Sequence, residues 1–295
     1  MAIKNVAIIG AGGNLGPSIV KNLTSSPHNY NVSVLSRQES SYKAPEGVTL
    51  IKTDYSPDSL VSALKGQDAV VSAITTSAVP EQKKIIDAAI AAGVKRFIPS
   101  EFGCDSSNSV TLQRVPPLNS KNQIREYLES KQDQIEWTAI YTGSFFDWGL
   151  KVGFLGCNLP EATMTIFPAQ KDVLFSTSTL DFIGRAIAQT LSPSIAPKTA
   201  NQRLRVRSFT TSQTQILAAL EKATGKKWTV AEADLDASVK DAEEKLSKSD
   251  FSGVGILITG ALLDPKCGNN FDYNPSNELL ELPTEDINTV VKSVL

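Results

Sequence analysis

The sequence predicts an α/β protein built on a doubly wound parallel sheet, and three observations predict it. Val6-Ala7-Ile8-Ile9 is an unbroken apolar run, β-branched at three positions, which reads as a strand buried on both faces. A cluster of glycines follows at once, and then Pro17–Leu23 shows helical spacing of its apolar residues. Strand-like and helix-like stretches then alternate to about residue 145, the pattern of a parallel sheet covered on both faces.

The glycine turn follows the first strand and precedes the first helix, which directs backbone N–H groups and a helix N-terminus at one point. That point suits a pyrophosphate. Gly10 permits the tight turn, and Gly12 and Gly13, with Asn14 and Leu15 beside them, bring the backbone within reach of phosphate oxygens. Gly16 lets helix and strand pack closely. The spacing reads G-x-x-G-x-x-G across Gly10, Gly13 and Gly16, because Leu15 occupies the last glycine position of G-x-G-x-x-G.

Asn31–Leu35 reads as the second strand and ends at Ser36-Arg37. This is about 20 residues beyond the turn, where a fold that binds NAD carries an acid for the ribose 2′-hydroxyl. Here a hydroxyl and a guanidinium stand instead. Arginine suits a 2′-phosphate, since its planar fork donates two parallel hydrogen bonds, so NADPH or NADP is the expected cofactor.

Val48–Asp54 is the third strand, followed by the helix Ser59–Lys65, which Ser56-Pro57-Asp58 opens and Gly66 closes. Asp68–Ile74 is the fourth strand, Pro80–Ala92 the next helix, and Lys95–Pro99 the fifth strand. A helix from about Asn119 to Lys131 leads to the sixth strand, Glu136–Tyr141. Ligands on such sheets bind at the carboxyl ends of the strands. That rule selects Gly10–Gly16, Ser36-Arg37, Thr75-Thr76-Ser77, Ser100–Gly103 and Thr142–Phe146, including Gly143, Ser144 and Phe145.

Beyond residue 145 the alternation weakens. Short β-like pieces stand at Met164–Phe167, Val173–Phe175 and Arg203–Phe209, and helical patterns at Thr179–Leu191, Gln213–Thr224, Ala237–Lys248 and Glu285–Val294. The expected division is a dinucleotide-binding domain over 1–150 and a smaller substrate-binding lobe over 151–295, with segments crossing back to the sheet.

Composition narrows the function. The chain has 295 residues, 20% of them charged and 41% hydrophobic, ordinary values for a globular protein. A net charge of −2 gives no electrostatic footprint for nucleic acid or an anionic membrane. No apolar run approaches the roughly 20 residues needed to span a bilayer, and the N-terminus enters the first strand without a signal-peptide pattern, so a cytoplasmic protein is expected. Cys104, Cys157 and Cys267 lack metal spacing and read as free thiols, and the single histidine, His28, lies in a turn, so no metal is expected.

The motifs together resemble the isoflavone-reductase-like branch of the NmrA-like family, atypical short-chain dehydrogenases that use NADPH. The matching pieces are the glycine turn, Arg37, Gln82 at the start of its helix, and Ile85–Gly103, which contains Pro99-Ser100-Glu101-Phe102-Gly103. Lys121–Arg125 and Trp137–Ile140 continue the match, which is looser beyond about residue 150. The resemblance implies a Rossmann fold and a reductase, the family's plant members acting on phenylpropanoid-derived compounds. It also implies a cofactor-binding role for Gln82, Ser100, Glu101, Phe102 and Lys121 beside the strand-end residues, with Glu101 read either as a general base or as support for its loop.

Most short-chain dehydrogenases carry Tyr-x-x-x-Lys, which occurs here as Tyr127–Lys131, at the end of its helix. The resemblance places the active site at the start of that helix, about 15 Å away at 1.5 Å per residue. There the matching tetrad reads Pro117-Leu118-Asn119-Ser120-Lys121, with no phenol, so Lys121 is the expected general acid/base. Phe102, Phe146, Trp148 and Phe154 are expected to wall a site for a small aromatic or apolar substrate, although each reads equally well as a core residue. A monomer or homodimer is expected. Two function classes stay open: an NADPH-dependent reductase, and a non-catalytic sensor of the NADPH/NADP ratio such as some NmrA-like proteins are.

Overall fold

The computed structural model describes residues 3–295. The first half runs β1 (Asn5–Ile9), α1 (Gly16–Thr24), β2 (Asn31–Arg37), β3 (Thr49–Thr53), α2 (Pro57–Leu64) and β4 (Ala69–Ser72). It continues through α3 (Gln82–Ala91), β5 (Arg96–Ile98), α4 (Ser109–Arg114), α5 (Asn119–Glu129) and β6 (Glu136–Tyr141). The second half holds β7 (Ser144–Phe145), α6 (Phe146–Val152), β8 (Cys157–Asn158), β9 (Thr163–Ile166), β10 (Phe175–Ser178), α7 (Leu180–Thr190) and α8 (Ala196–Thr199). It ends with β11 (Gln202–Arg205), β12 (Phe209–Thr211), α9 (Gln213–Thr224), β13 (Thr229–Glu232), α10 (Leu235–Ser247), α11 (Val254–Leu262) and α12 (Ile287–Val294).

The main sheet has the order β11-β6-β5-β4-β1-β2-β3, and every neighbouring pair in it is parallel. This is the Rossmann order with one strand added. Val6 to Ile9 are each at most 2% exposed. Val6 and Ile8 face Ile19, Phe182 and Ile183 of α1 and α7, and Ala7 and Ile9 face Leu60, Ile85 and Ile86 of α2 and α3. Each isoleucine so buried contributes on the order of 1.5–3 kcal/mol over an exposed one.

The tail supplies part of this sheet. β11 pairs with β6, and α7 lies on α1 so closely that a Cβ at Gly184 would be 2.6 Å from the Ser18 carbonyl oxygen. Arg96, 1% exposed, donates to Glu136, Thr138, Thr199 and the Ala196 carbonyl, tying β5 and β6 to α8. The remaining elements form two small sheets, β12-β10-β7 and β13-β9-β8, around a second core with α4, α6 and α9–α12.

Several boundaries differ from the sequence pattern. The single piece expected at Arg203–Phe209 divides between two sheets, β11 joining β6 and β12 pairing antiparallel with β10. The helix expected from Pro80 begins at Gln82, because Thr76–Glu81 winds into a 3-10 turn around Pro80, which has no N–H to give. α10 starts at Leu235, earlier than expected, because Asp234 accepts from the Ala237 N–H at 2.7 Å and caps it. No helix was expected at α4, α6 or α11. α4 is short and capped by Asn108, which accepts from Val110 and Thr111, and α11 (VGILITGAL) is apolar all round, so it offers no amphipathic period to read. No helix of the described residues is long and apolar enough to cross a membrane.

Candidate active site

The carboxyl ends of β1, β2, β4, β5 and β6 meet on one edge of the main sheet. Gly10 has φ +90, and a Cβ there would lie 2.4 Å from the Ala73 carbonyl oxygen, so only glycine fits. Gly13 donates its N–H to the Gly10 carbonyl at 3.0 Å, closing the turn. At Gly16 a Cβ would meet Ala11 at 2.4 Å, which is the close strand–helix approach expected of that position. Leu15 is buried at the N-cap position of α1, Asn14 is exposed, and no side chain caps the helix or puts an acid in its first turn. The helix start therefore presents positive potential to an anion with no internal competitor. A pyrophosphate fits these residues. The ring of Tyr42 lies over the turn, 3.3 Å from where a Gly12 Cβ would stand.

Ser36 is buried at the end of β2, whereas the Arg37 side chain is 73% exposed, and among the described residues its ion pair is with Glu39, at 3.5 Å. An ion pair this exposed is weak, so the guanidinium is available to an incoming phosphate. Arg37→Ala should weaken NADPH binding roughly ten- to a hundredfold, the loss of a charge-assisted contact worth about 1.5–3 kcal/mol, and leave NADH binding little changed. Titrating both cofactors by fluorescence checks this. Equal losses for the two would mean that Arg37 acts through the fold.

Thr75 and Thr76 are exposed where β4 ends, and Thr75 Oγ1 lies 3.2 Å from Ser77 Oγ. Gln82 and Ser100 have internal partners. The Gln82 amide oxygen accepts from the Ser100 N–H at 2.9 Å, and Ser100 Oγ donates to the Ile74 carbonyl at 2.7 Å. Both side chains brace the strand ends. Gly143 has φ +64, and its neighbour Ser144 directs its hydroxyl to Thr177 Oγ1 at 3.1 Å.

Lys121 stands half-buried in the first turn of α5, and its Nζ donates to the backbone carbonyl of Glu101 at 2.5 Å. Burial lowers its pKa from the usual lysine value, and the negative charge of Glu101 opposes that. Tyr127 is quite different. Its hydroxyl donates to Asp87, Lys83 and Lys131 lie 5.0 and 5.7 Å from its ring centre, and burial with Asp87 pushes the phenol up to about 12. A phenol made less acid is a poorer proton donor, and Tyr127 stands at the other end of α5 from Lys121. Cys104 lies beside this site, and burial pushes its thiol up to about 12, which leaves it protonated and unreactive.

The aromatic residues part company. Phe146 is fully buried with its ring edge-on to Phe209 at 4.8 Å, a core residue that does not reach the cleft. Phe102 is 7% exposed with φ +26. Phe145 meets Trp148 edge-on at 6.3 Å, and Trp148 meets Phe154 at 6.1 Å, so contacts run from the end of β7 to Phe154. Phe154 then forms part of the wall of a cavity of about 710 Å³, with Leu155, Phe167, Phe175, Ile216 and Leu262. The glycine turn and Lys121 are not in that wall. The sequence pattern revealed only Phe154 of this cavity, because β9, α9 and α11 line it through tertiary packing. It also missed Tyr42, for which an aromatic residue shortly after Arg37 was the available signal.

The NmrA-like family's sequence profile matches residues 2–249. An oxidoreductase of Aspergillus flavus, aprR, is 40% identical over 100% of this chain and 99% of its own length. An isoflavone reductase homolog of Zea mays is 32% identical over 67% of this chain and 64% of its own length. Among solved structures, AtPrR2 with NADP+ and (+)pinoresinol superposes with a TM-score of 0.76 at 22% identity, covering 100% of this chain and 99% of that one. The glycine turn, the Pro-Ser-Glu-Phe-Gly loop and these matches agree: the chain belongs to the NmrA-like family.

Proposed function

We propose that this chain is an NADPH-dependent reductase that delivers hydride to a small aromatic or conjugated acceptor, a phenylpropanoid-like compound, enone or ketone. The observation that carries it is Lys121, half-buried at a helix start and held by the Glu101 carbonyl beside Phe102. The dinucleotide would lie along Gly10–Gly16 and Arg37, with the loops after β4, β5 and β6 around its far end. When bound, NADPH supplies the hydride. Lys121 then has the remaining work: it holds a proton near the acceptor oxygen and delivers it, or stabilises the charge, as that oxygen turns negative. Burial supports this, since it keeps water from competing and strengthens the electrostatics.

The cavity beyond Phe154 supports the substrate class. Its volume of about 710 Å³ lies within the range of roughly 300–1,000 Å³ usual for small-molecule sites. Lys151 is the one charged residue in its wall, which favours a neutral, largely apolar molecule. Residues 1–150 then hold the cofactor and 151–295 the substrate, with α7 and β11 crossing back to the sheet.

A panel of electron-poor enones, quinone methides and aryl ketones is expected to contain at least one acceptor that drives NADPH oxidation in proportion to protein concentration. If none does, and NADPH and NADP bind with distinctly different affinities, the chain is instead a redox-sensing regulator.

A further inference from the structure

The loop that holds Lys121 is itself held by a buried clasp. Both carboxylate oxygens of Glu101 accept from the Ser106 hydroxyl, at 2.9 and 2.8 Å, and the two residues are 1% and 0% exposed. The next residue, Phe102, has φ +26, which is unfavourable for a bulky side chain. Such a backbone persists only where its surroundings over-determine it. Here three contacts do so: the Glu101 N–H to the Pro99 carbonyl at 2.8 Å, the Phe102 N–H to the Ile140 carbonyl at 3.0 Å, and the Glu101–Ser106 clasp. The product of that arrangement is a carbonyl aimed at Lys121 Nζ.

We propose that Glu101, clasped by Ser106, is a positioning residue for Lys121: its carbonyl fixes the direction of the amine and its carboxylate supplies the counter-charge. This rests on the reading of Lys121 as the general acid/base. Burial raises the Glu101 carboxyl above its ordinary range, and Lys121 and Ser106 work against that rise. Other groups face the clasp. Arg125 comes from α5, Cys104 and Asp105 from the loop, and Tyr141 from β6, while Arg205 of β11 donates to Asp105 at 2.8 and 2.5 Å. Losing the Ser106 hydroxyl removes one of the groups that favour the charged form of Glu101, and a Glu101 shifted toward its neutral form favours a charged Lys121 less.

The test is competitive labelling of Lys121 with 2,4-dinitrofluorobenzene across a pH series, read on its peptide by mass spectrometry, in the intact chain without substrate. Ser106→Ala and Glu101→Gln are each expected to move the labelling midpoint about one pH unit lower, and Ser106→Thr to return it to the wild-type value. Glu101→Gln keeps the side-chain shape, so it carries the test if Ser106→Ala does not fold. An unmoved midpoint with faster labelling at every pH would overturn the proposal, leaving the clasp a purely structural brace. Labelling needs no turnover, so this outcome is independent of whether Lys121→Ala loses activity, which tests the underlying reading.

Discussion

Lys121→Ala is expected to lower turnover by ~10²–10⁴-fold while NADPH binding is retained, the range for loss of a positioned acid or base. Tyr127→Phe and Lys131→Ala should stay near wild type, because the Tyr127 hydroxyl bonds to Asp87 and lies at the far end of α5. Steady-state kinetics on all three, with cofactor titration in parallel, decides the assignment. A dead Tyr127→Phe beside an active Lys121→Ala would reverse it. The pH profile has a definite sign. In the reductive direction the protonated amine is the working form, and burial lowers its pKa. Turnover should therefore decline as pH rises through that lowered value, earlier than a solvated lysine would allow.

Gly13→Val should abolish detectable NADPH binding. A Cβ at this position would stand 3.3 Å from the Gly10 carbonyl oxygen, and the branched methyls beyond it would fill the space in which a phosphate approaches the backbone. The Gly13 N–H closes the turn onto Gly10, so part of the effect reaches the fold, and the thermal midpoint must be measured beside the affinity. A modest fall in midpoint with no binding is the expected pair of results. A variant that binds NADPH as tightly as wild type would remove this turn from the cofactor site.

Much of the first half was legible because its physics is local. A parallel strand buried on both faces draws mostly apolar residues, and β1, β4 and β6 are buried along nearly all their length. Gly10 and Gly16 are required by contacts that a strand–turn–helix unit always makes, so they announce themselves. The second half carried weaker signals for identifiable reasons. β7 and β8 are two residues long, and β7 pairs only with the distant β10. Phe145 and Phe146 are adjacent and chemically alike, yet Phe145 meets Trp148 while Phe146 packs into the core. Nothing in their spacing distinguishes them. Ser106 is invisible in sequence for another reason: a serine near a loop becomes a clasp only when Glu101 is folded back against it.

The return of α7 and β11 to the main sheet bears on how the chain is made. When synthesis has reached about residue 150, β1–β6 can form, but the far edge of β6 is unpaired and the α1 face lacks its cover. Ile8, Ile19 and Val20 then wait for Phe182, Ile183 and Ile187, which are roughly 160 to 180 positions later in the chain. Closing contacts that span such a loop is entropically slow. A nascent chain of this protein passes through a stage with an open strand edge and a sticky apolar face, the combination that chaperones recognise and that aggregation exploits. The cofactor turn at Gly10–Gly16 is translated early, but the helix it opens has its full packing only once α7 has left the ribosome.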